Sequence, residues 1–193
     1  MDGLGRKKSN ITGFIIAGGK SERFGRDKRK LLISGKTLID RTIGILEDIL
    51  GRHPFVVGDN LGEFQIDPEF VIGDAQKDSG PLGGIVAALE KCETAWGLML
   101  AVDLPDITVR DLESLVTAAD ESFDFISLSA GEKSEPLIAL YHSRTAPFWR
   151  NQLNKAELMI AVGLKRLRCK SIFPDGGIKS LRNINEPDDI VAG

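Results

Sequence analysis

A chain of 193 residues, 42% hydrophobic and 27% charged, has ordinary globular composition, and at that length it buries about 70% of the surface its unfolded form exposes, enough to need no metal or disulfide staple. A formal net charge of -3 gives no global pull toward nucleic acid, and no apolar run approaches the ~20 residues of a membrane span. Cys92 and Cys169 are far apart and outside any CxxC spacing, so they read as packing thiols of a reducing, cytoplasmic compartment. His53 and His142 lack metal-ligand spacing.

The basic start, MDGLGRKKSN, has no apolar core behind it, so residues 1–10 are expected to be a flexible tail before a single domain over 11–193. ITGFIIA (11–17) reads as a buried strand. TLIDRTIGILEDIL (37–50) repeats its apolar positions at three- and four-residue spacing, the mark of a helix. PFVVG (54–58) and FVIGD (70–74) are short strands. LGGIVAALEKC (82–92) is a helix after Gly80-Pro81, with Gly83 and Gly84 allowing close approach to a neighbour. WGLMLAVD (96–103) is another buried strand. TVRDLESLVTAAD (108–120) opens with Thr108 and Asp111 at capping-box spacing. Strands are expected at 123–129 and 135–142, helices near 146–154 and 156–168, a short strand at SIFP, and a terminal helix opening at Asn185. This alternation predicts an α/β fold with a mainly parallel sheet covered on both faces. Ligands of such sheets bind at the carboxyl ends of the strands.

Four strand ends carry groups suited to a nucleotide. After strand 11–17, Gly18-Gly19 leads into the basic stretch GKSERFGRDKRK. A turn there can aim several N–H groups at an anion, and Lys20, Arg23 and Lys28 add positive charge. The pattern is neither a Walker loop nor a dinucleotide fingerprint. Asp103 ends a strongly apolar strand, where a carboxylate beside a polyphosphate suits Mg²⁺. Asp106 fits a loop salt bridge or helix cap better. Asp74 ends strand 70–74, ahead of the glycine-rich helix entry Gly80-Pro81-Leu82-Gly83-Gly84. Asn60 follows strand 54–58, although Asn is also an ordinary turn residue. No nucleophilic Ser, Cys or His with a placed base is visible.

These residues carry a resemblance. IAGGKSERFGRDKRKLL is similar to the signature loop of the Rossmann-like nucleotidyltransferases, roughly AGGxSxRMGxDK. GKTLIDR, GPLGGIVAAL, VDLPDI, EPLIALY and NINEPDDI follow in the order of one family within them, the molybdenum cofactor guanylyltransferases (the family of molybdopterin-guanine dinucleotide biosynthesis protein A). The likeness runs over about 11–191 and implies a three-layer α/β/α nucleotidyltransferase domain that transfers GMP from GTP to the terminal phosphate of molybdopterin. It puts GTP contacts on Ile16, Ala17, Gly18, Gly19, Lys28, Asn60, Asp74 and Asp103. It implies catalytic roles for Arg23, Lys28 and Asp103, a magnesium ligand in Asp103, and acceptor-side roles for Asn183 and Asn185. The chain departs from the pattern at Phe24, Gly83, Leu104 and Glu186, none of them a charged group the chemistry needs.

The expected partners are GTP and molybdopterin, with no nucleic acid and no membrane, and with room for contacts to other molybdenum-cofactor proteins. Lys165, Arg166, Arg168 and the segment near Glu135-Pro136 are weaker candidates for holding the pterin. The competing readings are the cytidylyl version of the cofactor enzyme, adenosylcobinamide-phosphate guanylyltransferase, and a non-catalytic nucleotide-binding accessory protein.

Overall fold

The computed structural model describes residues 3–18, 27–131 and 133–184, without the Lys133 side chain. In chain order the elements are α1 (Gly3–Ser9), β1 (Ile11–Ile16), β2 (Leu32–Ile33), β3 (Lys36–Thr37), α2 (Leu38–Leu50), β4 (Phe55–Val57), β5 (Val71–Ile72), α3 (Pro81–Lys91), β6 (Trp96–Ala101), α4 (Val109–Ala118), β7 (Phe125–Ala130), β8 (Lys133–His142), α5 (Ala146–Asn154), α6 (Ile160–Leu164) and β9 (Cys169–Ile172). Seven strands form one sheet in the order β5-β4-β1-β6-β8-β7-β9. All of its pairings are parallel except those of β8, which runs antiparallel to both β6 and β7. The short turn at Gly131, with φ +70, explains the exception, because a turn of that length can only return the chain antiparallel.

Each strand divides its side chains between two cores. On one face Ile11 and Ile15 of β1, Leu98 and Leu100 of β6 and Ile126 and Leu128 of β7 pack with Leu38, Leu46 and Ile49 of α2 and Leu112 and Leu115 of α4. On the other face Phe14, Ile16, Met99, Phe125 and Tyr141 pack with Leu82, Ile85 and Leu89 of α3 and Trp149 and Leu153 of α5. Burial on both faces is why β1 and β6 read as unbroken apolar runs. The helix starts follow local chemistry. Thr37 caps α2 by accepting from the Asp40 N–H, and Thr108 and Asp111 form the expected reciprocal box at α4. Asp111 is fully buried and also accepts from the Gly176 N–H at 2.8 Å.

Several expectations need correction. Within the expected tail, Gly3–Ser9 is helical, Leu4 packs on the core, Lys7 donates to the Thr117 carbonyl and Lys8 pairs with Glu113 at 3.9 Å. Cations dock this helix, so hydrophobic periodicity could not reveal it. The helix expected over 156–168 shrinks to Ile160–Leu164. Ala156 takes a positive φ of +55, and the Gln152 amide holds the carbonyls of Glu157 and Met159, so the chain loops before it winds. Cys92 is part-buried, but Cys169 is exposed. The hairpin β2–β3 was not expected from apolar pattern; its turn is Ser34-Gly35, both at positive φ. The helix expected at Asn185 lies outside the described residues. Among the described residues no helix is long and apolar enough to cross a membrane.

Candidate active site

Sheet order decides which strand ends meet. β5, β4, β1 and β6 are consecutive neighbours, and the residues just past their carboxyl ends are Asp74, Asn60, Gly18 and Asp103. Adjacent strands lie about 4.8 Å apart, so the four ends span roughly 14 Å, the reach of a nucleoside triphosphate from base to phosphates. The chain also reverses direction across the sheet here: β4 and β5 lie on one side of β1 and β6 on the other. That is the crevice in which doubly wound sheets bind ligands.

At the β5–β4–β1 end lies a cleft of about 430 Å³ lined by Ala17, Gly18, Arg29, Asp59, Asn60, Asp74, Asp78, Ser79 and Gly80. Asp74 is half-buried against two glycines. A Cβ on Gly18 would stand 3.1 Å from Asp74 Oδ2, and one on Gly84, in the first turn of α3, 3.3 Å from Oδ1. A side chain at either position would require the carboxylate to give by a few tenths of an ångström. Gly58 is tighter still: its φ is +152, and a Cβ would stand 2.9 Å from the Gly18 nitrogen. Burial, followed by the nearby negative charge of Asp59, raises the Asp74 carboxyl above its usual range. Hydrogen-bond donors brought to such a group favour its charged form. The N-terminal end of α3 reaches the same cleft through its cap residue Gly80 and through Ser79 before it, and a helix N-terminus favours negative charge.

At the β6 end, Asp103 faces Lys28, with Nζ 3.8 Å from Oδ2 and side chains 16% and 24% exposed for the lysine and the aspartate. Burial pushes the Asp103 carboxyl up, and Lys28 offsets this only in part. The same ammonium donates to the Ile184 carbonyl at 2.7 Å, and the Ile184 N–H donates to the Asp103 carbonyl at 2.9 Å. The chain after β9 therefore returns to brace the pair. Arg182 anchors this return on Asp106 at 3.0 Å, the salt bridge expected of Asp106.

Of the expected site residues, Ala17, Gly18, Asn60 and Asp74 line the cleft, and Lys28 and Asp103 meet at the neighbouring strand end. Ile16 is not among the residues that line the cleft; its side chain lies in the core beneath Gly84, and the contact expected of it is through its backbone. Asn183 is exposed next to Ile184. Gly19, Arg23 and Asn185 lie outside the described residues. Two of the weaker pterin candidates are misplaced. Arg168 grips Asp124 with bonds of 2.9 Å at the start of β7, and Arg166 pairs with Glu157 at 3.7 Å. They precede β9 with Lys165 and sit at the opposite rim, because β9 runs parallel to β7. Glu135-Pro136 begins the reversed strand β8 and so lies on the same rim as the cleft. Sequence reasoning missed Arg29, Asp59, Asp78 and Ser79 as lining residues. Only the nearness of Arg29 to Lys28, and of Asp59 to Asn60, hinted at two of them.

Comparison with known proteins agrees with this fold. The family described as MobA-like NTP transferase domain matches residues 13–168. A protein of Chloroflexus aggregans named probable molybdenum cofactor guanylyltransferase is 31% identical over 192 residues, covering 93% of this chain and 91% of its own. One of Serratia proteamaculans named molybdenum cofactor guanylyltransferase is 27% identical over 181 residues, covering 93% and 91%. The crystal structure of molybdopterin-guanine dinucleotide biosynthesis protein A from Archaeoglobus fulgidus superposes with a TM-score of 0.77 at 24% identity, covering 93% of this chain and 95% of that one. The chain therefore belongs to the family of MobA-like NTP transferases.

Proposed function

We propose that this protein transfers GMP from GTP to the terminal phosphate of molybdopterin, releasing pyrophosphate. The observation that carries the reading is the pairing, on one rim, of a half-buried carboxylate without a hydrogen-bond partner among the described residues, Asp74, with the Lys28–Asp103 ion pair three strands beyond. Asp74 offers two acceptor oxygens side by side. Guanine presents two adjacent donors, N1–H and the 2-amino group, whereas adenine and cytosine each place an acceptor beside their single amino donor. A carboxylate accepts from guanine twice and meets a repelling lone pair on the other two. This favours the guanylyl reading over the cytidylyl one, and the names of the relatives support it.

From the base over Asp74 and Asn60, the triphosphate would run past Gly18 toward Lys28. A terminal phosphate oxygen of molybdopterin forms the new bond to the α-phosphorus. The bond from that phosphorus to the bridging oxygen breaks, and its electron pair leaves on pyrophosphate. The nucleophile is already an anion, so the chain need only align two anions and screen their repulsion. Lys28 supplies screening charge, and its bond to the Ile184 carbonyl holds the ammonium in place. Arg23 is assigned to the same task by its place in the signature loop.

The donor set suits a magnesium ion. Asp103 is a hard oxygen ligand whose burial leaves it short of positive charge, and magnesium favours one or two carboxylates completed by phosphate oxygens and water. When bound, the ion would act as a Lewis acid on the phosphate oxygens. Pyrophosphate release from GTP by purified protein, with Mg²⁺ and molybdopterin, tests the reading. Asp103→Ala is expected to lower turnover by a factor of a hundred or more, on the order of 3 kcal/mol. Full activity in that variant would remove Asp103 from the chemistry, and no release by the unmodified protein would reject the transfer.

A further inference from the structure

Two side chains of one turn bridge the halves of the site among the described residues: Lys30, whose exposed ammonium pairs with Glu63, and the far less exposed Arg29. Arg29 carries the geometry that matters. It neighbours Lys28 on a single 3₁₀ turn capped by Asp27. Its Nε donates to Asp27 Oδ1 at 2.9 Å and Oδ2 at 3.0 Å, and its Nη2 to Oδ2 at 2.7 Å. The other edge of the guanidinium turns to the loop after β4. Nη1 donates to the Asp59 carbonyl at 2.9 Å, and Nη2 reaches the Asn60 carbonyl at 3.5 Å. Phe64 closes the arrangement, its ring centroid 5.1 Å from the guanidinium carbon. The side chain is only 14% exposed, and it lines the cleft itself. Asn60 holds a positive φ of +55, a conformation that costs a non-glycine residue energy unless its surroundings enforce it.

We propose that Arg29 is a positioning residue that couples capture of the base at the Asn60–Asp74 end of the cleft to the placement of Lys28 at the phosphate end. The planar fork joins one turn, through Asp27, to one loop, through two carbonyls. Movement of the Asn60 loop as a base seats is therefore carried to the turn that bears Lys28. A lysine cannot do the same, because one point charge cannot satisfy a carboxylate and two separate carbonyls in fixed directions. The correct base would then improve turnover as well as binding, and a poorly seated base would leave Lys28 misaligned. This inference rests on the guanylyl-transfer reading for its kinetic consequence, but not for its structural one.

The test has two arms. Without ligand, hydrogen exchange compares the unmodified protein with Arg29→Gln and Arg29→Lys. The reporter amides are Lys30 and Leu31, bonded within the Lys28 turn, and Phe64, bonded to the Leu61 carbonyl beside the Asn60 loop. Both regions are expected to exchange faster together in both variants; an increase confined to one region, or none, overturns the coupling. In the second arm, kcat and KM for GTP and ATP are measured in Arg29→Lys, Asn60→Ala and the double variant. Arg29→Lys is expected to lose roughly tenfold to a hundredfold in kcat for GTP, a loss typical of ångström-scale misplacement, and to narrow the preference for GTP over ATP. Asn60→Ala is expected to add little in that background, since residues acting through one path are non-additive. Near-normal kcat in Arg29→Lys, or losses that simply multiply, would overturn the proposal. A protein that releases no pyrophosphate from GTP would reject the transfer reading, and the exchange arm would still decide whether Arg29 couples the two loops.

Discussion

Replacing Lys28 with methionine keeps the length of the side chain and removes its charge. With the ammonium 3.8 Å from the Asp103 carboxylate, Coulomb attraction at an effective dielectric of 20 is about 4 kcal/mol. Both side chains keep some contact with solvent, which leaves about half of that, roughly 2 kcal/mol. Burial already holds the Asp103 carboxyl above its usual range, and Lys28 is the charge that pulls it back. Without Lys28, Asp103 keeps its proton to higher pH. The form able to bind a cation then disappears at a higher pH. The assay is kcat/KM for pyrophosphate release across pH. Lys28→Met should move the acid limb to higher pH and lower the plateau by a hundredfold or more, a loss on the order of 3 kcal/mol. The lost bond to the Ile184 carbonyl adds about 1 kcal/mol of destabilisation. An acid limb that stays where it is in the unmodified protein would refute the reasoning, whatever happens to the plateau.

Asp74→Asn should separate stability from recognition. Because burial and Asp59 raise the Asp74 carboxyl in the folded state, its contribution to stability is full below the unfolded carboxylate pKa and is lost as pH rises through the folded value. At pH 7 without nucleotide the variant should unfold at a higher temperature than the unmodified protein, and the difference should vanish near pH 4, while its preference for GTP over ATP falls. Asp124 behaves in the opposite way: the Arg168 and Arg144 guanidiniums hold its carboxyl far below the usual range. Its stabilisation is present above the ordinary carboxylate pKa and is lost as pH falls through the folded value. Asp124→Asn should cost about 2 kcal/mol at pH 7 and lower the unfolding midpoint by roughly 4–8 °C, with kcat unchanged because Asp124 stands at the far rim.

What the sequence disclosed follows from how far each signal reaches along the chain. β1 and β6 were legible because burial on both faces writes an unbroken apolar run. The box at Thr108 and Asp111 was legible because caps are three-residue events. Asp74 and Asp103 stood out as carboxylates at the ends of apolar strands. Contacts made by a single cation across long separations leave no pattern. Arg29 reaches Asp59 across 30 residues, and Lys28 reaches Ile184 across 156. The same limit hid α1, which docks through Lys7 and Lys8, and it made Arg166 and Arg168 look like ligand groups when the direction of β9 sends them to the opposite rim. Lys28 and Asn60 were visible as charge and as a strand-end polar group, but a basic run and a turn asparagine have ordinary explanations, and the resemblance is what singled them out.

The central claim is that four strand ends grip one nucleotide along a single rim. A titration of isotope-labelled protein with GTP and Mg²⁺, followed through its backbone amide resonances, tests it most directly. Saturable shifts should gather at Gly18, Asn60, Asp74 and Asp103, with β9 and the start of β7 silent. Shifts that avoid two or more of those four ends, or that centre on the groove between α4 and β9 lined by Arg110 and Lys170, would contradict the account.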